Sequence, residues 1–458
     1  MNTGLCIFDR FAEIKRMAGD KTCQVVVLGA GFGGLFFCKH FRHSQARITL
    51  VDRTNHHLFQ PLLYQVATAG LSAPEIAQPI RSILSHRPDV TVLLDEAVGC
   101  DLANRKVTLR KSTLDYDFLV LAMGSQTGYF GHPEWEQFAP GLKTLDDALR
   151  LRSRILLAFE EAENETDPAE RDKLLTIVIV GGGPTGLELA GAFAELARTV
   201  LKRDFRRIDP AQARIILIEG APRVLVNYPP DLSASAQRQL EALGVQVRTA
   251  TTVKNIRAGE VELAGSEILR AGNIVWAAGV AAVPLTRKLG VELDKAGRVK
   301  VNPDLSVPGH PEIFAIGDLA LVVEKDGQPV PGICPAAMQM GRFVAKLIRE
   351  EIETRQPLTR PSATLSPSDG ERGGVRAEHP AFKYWDKGTM ATIGRSAAVA
   401  WIGRLKISGY PAWLAWLFVH LIFLIGFRNR LAVLIQWTYS YFAYKRGARI
   451  ITNPPSEP

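Results

Sequence analysis

The stretch that decides the fold is QVVVLGAGFGGLFFCKHF, at residues 24–41. It begins with β-branched residues, passes through a glycine-rich turn, and ends in a helix-like run. A second apolar segment, ARITLVDR at residues 46–53, follows after a short connection. Unbroken apolar strands are typical of parallel strands buried on both faces, and strand, helix, strand is the opening of a βαβ unit. The stretch therefore predicts an α/β fold.

The same pattern returns later in the chain. TIVIVGGGPTGLELAGAFAEL, at residues 176–196, again joins a strand to a helix through glycines, and RIILIEG, at 214–220, supplies the next strand. This internal repeat predicts two Rossmann-type dinucleotide-binding domains. A further strand, EIFAIGDLA at 312–320, comes after the second repeat is complete. We therefore expect the first domain to be interrupted by the second and then resumed.

Length and composition complete the predicted organisation. At 458 residues the chain exceeds the size of a single core, so several domains are expected. A region rich in Pro, Ser, Gly and Arg lacks apolar periodicity and predicts a flexible insertion. The predicted boundaries are 22–150 for the first part of the first dinucleotide domain, 151–285 for the second dinucleotide domain, 286–353 for the rest of the first, 354–380 for the insertion, and 381–458 for a C-terminal region.

Charge and cysteine content narrow the functional classes. Charged residues make up 22% of the chain and hydrophobic residues 47%, which argues against wholesale disorder and against a multi-span membrane protein. A net charge of +8 predicts an anionic partner: nucleic acid, an anionic bilayer surface or phosphate-bearing cofactors. The five cysteines have no CxxC or metal-type spacing, so neither a disulfide framework nor a metal site is expected. The amino-terminal segment lacks the apolar stretch of a signal peptide.

Gly29, Gly31 and Gly34 form a GxGxxG fingerprint directly after the first strand. The first glycine allows the tight turn, the second lets the backbone approach a pyrophosphate, and the third lets the helix pack on the strand. Asp52 ends the next strand, where a carboxylate accepts hydrogen bonds from ribose hydroxyls. These residues predict a bound dinucleotide.

Gly181, Gly183 and Gly186 repeat the fingerprint, and Glu219 takes the position of Asp52. A carboxylate there repels a 2′-phosphate, so NADH is favoured over NADPH. Arg223 lies four residues on and could serve a phosphate instead, which leaves NADPH open.

Two fingerprints imply two dinucleotides, and the one that stores electrons is usually a flavin. Gly317 and Asp318 would bring a carboxylate and a helix start to the ribityl and phosphate region of that flavin. Taken alone, an Asp after a Gly is more often a turn or a helix cap. Together, these signals predict FAD and a nicotinamide dinucleotide, with hydride transfer from one to the other.

Six segments point to a narrower family: GAGFGG, HHLFQPLLYQVATAGL, AMGS, GGGPTGLELAG, IFAIGD and YWDKGTMATIGR. In this order and spacing the chain resembles type II NADH dehydrogenase, the single-subunit NADH:quinone oxidoreductase, from Gln24 to about Arg449. The resemblance implies non-covalent FAD in the first domain, NADH in the second, a quinone acceptor, no proton pumping, and a homodimer on the membrane.

The resemblance also implies site residues. Those expected to face FAD are Gly29, Gly31, Gly34, Asp52, Leu62, Gly124, Gly317 and Asp318. Those expected to face NADH are Gly181, Gly183, Gly186, Glu219 and Gly279. Glu188 would lie near the nicotinamide and the flavin and is a candidate proton relay, since quinone reduction consumes protons. The alternative is a first-turn residue that complements the helix dipole.

The quinone-side motif departs from the family. The family pattern is AQxAxQ, whereas this chain reads CPAAMQ at residues 334–339. Gln339 matches the second glutamine and is the candidate residue on the acceptor side, but Pro335 replaces the first glutamine and Cys334 the small residue before it. The departure puts the quinone type, or the way its carbonyl is held, in doubt.

Other functions stay open at this point. Cys334 raises a sulfide:quinone oxidoreductase, but that chemistry needs a cysteine pair, and no cysteine lies between Cys100 and Cys334. A flavin reductase that serves a soluble carrier and an NADH-sensing flavoprotein are the remaining alternatives.

The tail is apolar, aromatic and basic. No charged residue occurs from Pro411 to Phe427, and a second apolar run extends from Leu431 to Tyr444. Neither run is long enough to be a clear span, which takes roughly 17 to 25 residues. Flanking arginines and lysines with tryptophans and tyrosines are typical of a segment that lies in the membrane interface. We predict a monotopic anchor on the cytoplasmic face of the inner membrane, with a buried dimerisation helix pair as the alternative; nucleic-acid binding is not expected.

Overall fold

The computed structural model describes residues 22–324, 326–355, 379–443 and 447–451. Two compact units share the chain. The first comprises the described parts of Met1–Asn55, Ile80–Gly124 and Ala282–Tyr384, and the second comprises His56–Pro79, Ser125–Ala281 and the described parts of Trp385–Pro458. Because these units reflect packing and not cofactor binding, the domain boundaries stay a prediction. The amino-terminal segment and most of the predicted 354–380 insertion lie outside the described residues.

Strands and helices alternate through most of the chain. The strands are β1 Cys23–Leu28, β2 Ala46–Asp52, β3 His56–Leu58, β4 Ala77–Pro79, β5 Val90–Leu94, β6 Ala97–Asp101, β7 Lys106–Leu109, β8 Thr113–Asp115, β9 Phe118–Leu121, β10 Ser125–Thr127, β11 Thr176–Val180, β12 Arg214–Ile218, β13 Gln246–Arg248, β14 Val253–Arg257, β15 Glu260–Leu263, β16 Ile268–Arg270, β17 Asn273–Trp276, β18 Val280–Ala282, β19 Val299–Lys300, β20 Ser306–Val307, β21 His310–Ala315, β22 Ala320–Leu321, β23 Thr389–Gly394, β24 Ala397–Ile402 and β25 Leu405–Ser408. The α-helices are α1 Phe32–His40, α2 Leu63–Ala67, α3 Ala73–Ile76, α4 Ile80–Ile83, α5 Leu145–Asn164, α6 Pro168–Leu174, α7 Pro184–Glu195, α8 Pro230–Ala242, α9 Cys334–Arg355, α10 Tyr410–Phe423 and α11 Phe427–Ala443. Short 3₁₀ helices cover Gln60–Leu62, Pro133–Gln137, Pro210–Gln212, Pro284–Lys288 and Gly317–Leu319, and a π-helical turn covers Leu196–Val200.

A six-stranded sheet forms the centre of the first unit, in the order β20, β21, β9, β1, β2, β5. The strands from β21 to β5 are parallel, and β20 runs antiparallel to β21 at the edge. Val25 to Leu28 of β1 are buried, as expected for a strand covered on both faces. Because β21 follows the second glycine repeat in sequence, the prediction of a Rossmann-type sheet that is interrupted and then resumed is confirmed.

Helix α9 packs closely along α1 in the first unit. A Cβ on Gly341 of α9 would lie 2.3 Å from the carbonyl oxygen of Gly33 and 3.0 Å from the backbone nitrogen of Phe37. Only a glycine permits this approach, since any side chain would collide with the backbone of α1. The packing of α9 therefore holds α1 in place.

Arg87 clamps the end of α1. Its side chain is buried, and its guanidinium donates hydrogen bonds to the carbonyl oxygens of Cys38 and Phe41, the latter at 2.6 Å. The same guanidinium pairs with both carboxylate oxygens of Asp89, at 2.9 and 2.5 Å. These hydrogen bonds lower the pKa of the Asp89 carboxyl below its usual value. The arginine thus satisfies carbonyls at the helix end that have no partner within the helix.

The second unit has its own parallel sheet, in the order β13, β12, β11, β17. An antiparallel sheet of β14, β15 and β16 adjoins it through a shared apolar core. Trp276 lies in this core with its ring centroid 5.5 Å from that of Tyr129 and 5.4 Å from that of Trp135. Its indole N–H donates to the carbonyl oxygen of Gly128 at 3.0 Å, so the buried polar atom has a partner.

The C-terminal strands β23, β24 and β25 form an antiparallel sheet that packs on α7 of the same unit. A Cβ on Gly191 of α7 would lie 1.6 Å from the carbonyl oxygen of Ile393 in β23. Gly191 is therefore the position that lets the strand touch the helix backbone.

Helices α10 and α11 follow this sheet, where the sequence predicts two apolar runs. Trp416 of α10 is buried, and the indole N–H of Trp437 in α11 donates to the side-chain oxygen of Gln65 at 2.8 Å. The opposite side, here termed the apolar face, consists of exposed Leu414, Phe418, Ile422, Phe427, Leu431, Leu434, Ile435 and Phe442. Within the described residues, no helix combines the length and the apolarity needed to cross a bilayer.

Candidate active site

The first glycine turn joins β1 to α1 and forms a backbone cradle. Gly29 has a φ of +100°, and a Cβ there would lie 2.5 Å from the carbonyl oxygen of Ala122. A Cβ on Gly34 would lie 1.9 Å from the carbonyl oxygen of Gly29, so both positions need glycine. Gly31, the N-cap of α1, is different, because a Cβ there would have no atom within 4 Å. The open space at Gly31 gives an anionic group access to the helix N–H groups, as a pyrophosphate requires.

Asp52 is tied to this cradle. One carboxylate oxygen accepts from the backbone N–H of Ala30 at 2.6 Å, and the other accepts from the backbone N–H and the hydroxyl of Thr54 at 2.7 and 2.8 Å. A carboxylate has about four lone-pair positions, and three are used, so Asp52 can still accept one hydrogen bond from a ribose hydroxyl. The cradle and the carboxylate together fit the pyrophosphate and ribose of FAD.

The other predicted FAD residues of the first unit follow neighbouring strands. Gly124 comes after β9 with a φ of +69°, and Gly317 comes after β21 with a φ of +71°. The Gly317 N–H donates to the sulfur of Met340 at 3.2 Å. A Cβ on Gly332 would lie 3.4 Å from a carboxylate oxygen of Asp318, which places the two residues side by side. Because β1, β9 and β21 are parallel neighbours, these turns meet at one sheet edge, where ligands of such folds bind.

Leu62 does not lie in that group. It ends the 3₁₀ helix Gln60–Leu62 of the second unit, and its side chain is fully buried. Its expected contact with FAD stays a prediction.

The second glycine turn repeats the geometry of the first. Gly181 has a φ of +116°, and a Cβ there would lie 2.7 Å from the backbone of Ala277. A Cβ on Gly186 would lie 1.8 Å from the carbonyl oxygen of Gly181. Gly183, the N-cap of α7, again has open space where its Cβ would be. This turn can therefore also hold a pyrophosphate.

Glu219 occupies the same position in the second unit as Asp52 in the first. Its two carboxylate oxygens accept from the backbone N–H groups of Gly182, at 2.6 Å, and Ala221, at 2.7 Å. The sequence also offers Arg223 as a phosphate ligand for NADPH. Arg223 instead donates to the carbonyl oxygens of Tyr228 and Val226, both at 2.7 Å. The guanidinium is thus engaged by backbone, and the free lone pairs of Glu219 fit the ribose of NADH.

Gly279 lies against Phe130, an aromatic residue that is not part of any of the sequence motifs. Its φ is +75°, and a Cβ there would lie 2.6 Å from the ring of Phe130. Phe130 itself has a positive φ of +49° and is 73% exposed. A strained, exposed phenyl group beside a predicted NADH residue marks a candidate contact for a cofactor ring.

Glu188 lies on α7 at the packed face between α7 and β23. The backbone N–H of Thr392 in β23 hydrogen-bonds the Glu188 carboxyl group, which lowers its pKa, but burial has the larger effect and raises the pKa well above the usual carboxyl value. The side chain is half-buried, and a carboxyl group with a raised pKa is able to hold a proton near neutral pH. The proton-relay role and the helix-dipole role both stay predictions.

The acceptor-side motif begins α9 in the first unit. Cys334 and Pro335 occupy the first turn, where proline needs no helical N–H partner. Gln339 is half-buried and directly precedes Met340, whose sulfur accepts from Gly317. The structure thus places Gln339 in the helix that contacts the candidate FAD edge.

The cysteines within the described residues form no disulfide. Cys23, Cys38, Cys100 and Cys334 are all reduced thiols. Burial raises the pKa of Cys38 to about 12 and that of Cys100 to about 11, which keeps both protonated. Among the described residues, no group of His, Cys, Asp and Glu side chains could hold a metal ion.

Comparisons with known proteins identify the relatives of this chain. The family model described as pyridine nucleotide-disulphide oxidoreductase matches residues 23–341. The type II NADH:quinone oxidoreductase NdhA of Mycobacterium tuberculosis is 44% identical over 444 residues, covering 94% of this chain and 89% of that protein. The type II NADH:quinone oxidoreductase Ndh of the same organism is 42% identical, covering 94% of this chain and 90% of that protein.

Solved structures agree on the fold. NDH2 from Plasmodium falciparum in complex with NADH has a TM-score of 0.82 at 20% identity, covering 94% of this chain and 100% of that one. The sulfide:quinone oxidoreductase of Aquifex aeolicus has a TM-score of 0.67 at 17% identity, covering 92% of this chain and 95% of that one. At these identities the likeness concerns the fold alone, so the sulfide-linked alternative gains no support.

Proposed function

Since the chain belongs to the type II NADH:quinone oxidoreductases of the pyridine nucleotide-disulphide oxidoreductase family, we propose which of its residues serve each step of the reaction. In that reaction electrons pass from NADH through FAD to a membrane quinone, without proton pumping. The observation that carries the proposal is the pair of equivalent cradles. Each has an open N-cap glycine, Gly31 or Gly183, and a carboxylate held by the glycine turn, Asp52 or Glu219.

In this proposal the first unit holds FAD and the second holds NADH. Gly31 and the N–H groups of α1 receive the FAD pyrophosphate, and Asp52 accepts from the ribose. Gly124, Gly317 and Asp318 line the same sheet edge toward the flavin. When bound, FAD takes up the hydride of NADH and delivers two electrons to the quinone. The protein contributes binding, orientation and a place to hold protons, since hydride transfer itself needs no acid or base.

Stopped-flow absorbance tests the function directly. The purified, detergent-solubilised protein is mixed with NADH and then with a soluble quinone analogue. We expect NADH to bleach the flavin absorbance and quinone to restore it promptly. Bleaching without reoxidation by quinone would favour another acceptor and point to the CPAAMQ segment. A flavin that NADH does not bleach would contradict the proposed roles of both cradles.

Glu219 is proposed to select NADH. Replacing Glu219 with Gln removes the negative charge and leaves one side-chain oxygen, which can accept from either Gly182 or Ala221 but not from both. We expect the preference for NADH over NADPH, measured as the ratio of kcat/KM values, to fall about tenfold, because a 2′-phosphate no longer meets a like charge. Glu241→Gln is the control, since it removes the same charge from an exposed position on α8. An unchanged preference in Glu219→Gln would show that the carboxylate does not read the ribose.

Glu188 is proposed to hold a proton for quinone reduction. Since its pKa is raised, the carboxyl group is protonated at low pH and loses its proton as the pH rises through the raised value. The stabilisation linked to that proton is therefore complete below the usual carboxyl pKa and is lost as the pH rises through the folded-state pKa.

Glu188→Gln retains the shape and the oxygen that faces Thr392 but cannot release a proton. We expect kcat with quinone to fall about a hundredfold, while NADH bleaches the flavin at the normal rate. The decline of kcat and of stability with rising pH should disappear, as measured by steady-state pH profiles and by urea unfolding at several pH values. A variant with the pH profile of the parent protein would leave Glu188 with a structural role only.

The acceptor side and the membrane contact complete the proposal. Gln339 is proposed to face the quinone from α9, with Pro335 changing how the second quinone carbonyl is held. The apolar face of α10 and α11 is proposed to lie on the cytoplasmic face of the inner membrane, because exposed leucines, isoleucines and phenylalanines recur along both helices and basic residues flank the two apolar runs. A homodimer is proposed as well, on the basis of the family resemblance.

A further inference from the structure

We propose that the basic loop, residues 202–207 with the sequence KRDFRR, binds the anionic headgroups of a bilayer and forms a membrane contact separate from the apolar face. The inference rests on the proposed membrane association and adds a second element to it. The loop belongs to the second unit and follows the π-helical turn Leu196–Val200.

Four of the six loop residues are exposed cations. Lys202, Arg203, Arg206 and Arg207 all have exposed side chains. Among the residues that the structure describes, none of the four makes an ion pair within 4 Å, although Arg206 also donates to the backbone carbonyl of Arg203 at 2.9 Å. The loop therefore presents four cations that form no direct ion pair with the described residues, although the Glu163 carboxylate beneath the loop interacts electrostatically with Arg207.

The backbone of the loop is held in place from beneath. Phe205 is half-buried, and its ring centroid lies 6.1 Å from that of Phe159 on α5. The carboxylate of Glu163 accepts hydrogen bonds from the backbone N–H groups of Arg206 and Arg207 at 2.9 Å and of Ile208 at 3.0 Å. Because Glu163 and Phe205 fix the backbone, the cationic side chains project from a formed surface and not from a loose segment.

An ion pair connects the loop to the end of the tail. Asp204, the acidic residue of the loop, pairs with Arg449. Arg449 lies six residues beyond the end of α11, so an extended chain would place Arg449 at most about 20 Å from the last residue of that helix. Phe442, near the end of α11, is 75% exposed, and Ile450, next to Arg449, is 64% exposed. The basic loop thus contacts the segment that carries exposed Ile450, and this segment follows α11 and its exposed Phe442 by only a few residues.

This neighbourhood decides between the anionic partners. Cations that contact a segment with an exposed isoleucine, next along the chain to an apolar helix, match a membrane interface, where headgroups attract the charges and the acyl boundary takes up the apolar side chains. A nucleic-acid surface would need no exposed apolar residues beside the phosphate contacts. The bilayer is therefore the partner that accounts for both features.

Vesicle co-sedimentation of the full-length, FAD-loaded protein tests the inference. One set of vesicles is phosphatidylcholine alone, and the other contains about one-third phosphatidylglycerol. The loop variant carries Lys202→Gln, Arg203→Gln, Arg206→Gln and Arg207→Gln. Its matched control carries Lys111→Gln, Arg287→Gln, Lys295→Gln and Lys346→Gln, which remove the same charge from exposed positions elsewhere. Flavin content and reduction by NADH verify that each variant is folded.

We expect the parent protein and the control to bind anionic vesicles more tightly than neutral ones, with a preference that falls as salt rises. The loop variant should lose at least about tenfold of its affinity for anionic vesicles, since each cation at the surface contributes roughly fivefold. Its binding to neutral vesicles should be unchanged, because the apolar face is intact. Phe418→Ser with Phe442→Ser should show the opposite pattern and lose binding to neutral vesicles.

Two results would overturn the inference: a loop variant that keeps the parent's anionic preference, or a parent that binds duplex DNA more tightly than anionic vesicles. A parent protein that does not bind neutral vesicles, and whose binding to anionic vesicles is lost in the loop variant, would instead contradict the proposed role of the apolar face. The two proposals therefore fail in different ways.

Discussion

Replacing Gly31 with alanine is expected to give a folded chain that has lost its flavin. Gly31 has a φ of −65°, which alanine adopts freely, and its Cβ would have no protein atom within 4 Å. The added methyl group therefore costs the protein little. It occupies the space through which a pyrophosphate reaches the N–H groups of α1, and losing two charge-assisted hydrogen bonds should weaken FAD binding by about 10² to 10⁴-fold.

The measurement is the flavin absorbance of the purified protein, followed by FAD titration and circular dichroism. Gly447→Ala is the matched control, because its Cβ is equally unobstructed and lies far along the chain in the tail. Gly34→Ala should behave differently and fail to fold, since its Cβ would overlap the carbonyl oxygen of Gly29. A Gly31→Ala protein that is isolated with a full complement of FAD would contradict the placement of the pyrophosphate.

Replacing Arg87 with alanine is expected to lower the free energy of unfolding of the first unit by about 3 to 5 kcal/mol, the range for removing one partner of a buried ion pair. The substitution leaves the Asp89 carboxylate without its cation and the carbonyl oxygens of Cys38 and Phe41 without their donor. Because those carbonyls end α1, the helix proposed to hold FAD should fray and release the flavin at lower urea concentration. Arg87→Lys should recover only part of the loss, since a single ammonium cannot replace the planar donor set.

Urea unfolding followed by flavin fluorescence measures this effect. Arg150→Ala removes one partner of an exposed ion pair with Asp146 and should cost less than about 1 kcal/mol. The depressed pKa of Asp89 adds a pH signature, because its stabilisation is present above the usual carboxyl pKa and is lost as the pH falls through the lower folded-state value. Equal losses in the two alanine variants would show that the clamp has no special role.

The glycine fingerprints were predictable because their spacing expresses a steric requirement. Gly29 and Gly34 must lack a Cβ so that backbone can touch backbone, and that need is visible within six residues of sequence. The parallel sheets followed in the same way from unbroken apolar strands, and the carboxylates at their ends, Asp52 and Glu219, followed from the strand boundaries.

The surroundings of Glu188 could not be predicted in this way. Its hydrogen-bond partner, Thr392, lies some two hundred positions later in the sequence, and Gly191 reads as one more small residue of an ordinary helix. Only the packing of β23 against α7 shows why a side chain would be impossible there. The clamp by Arg87 was hidden for the same reason, since helix ends can be satisfied by any donor that the tertiary fold brings near.

The segmental make-up of the two units has a consequence for biosynthesis. During translation, β1, β2 and β9 leave the ribosome long before β21, which completes their sheet, and α7 is made before β23, against which it packs. The nascent chain must therefore keep one unfinished apolar sheet and one uncovered helix face from aggregating until β21 and β23 are made. Each unit also consists of three separate stretches of the chain, so no single uninterrupted fragment contains the whole of either unit, and a split version of the enzyme would have to exchange segments between its parts.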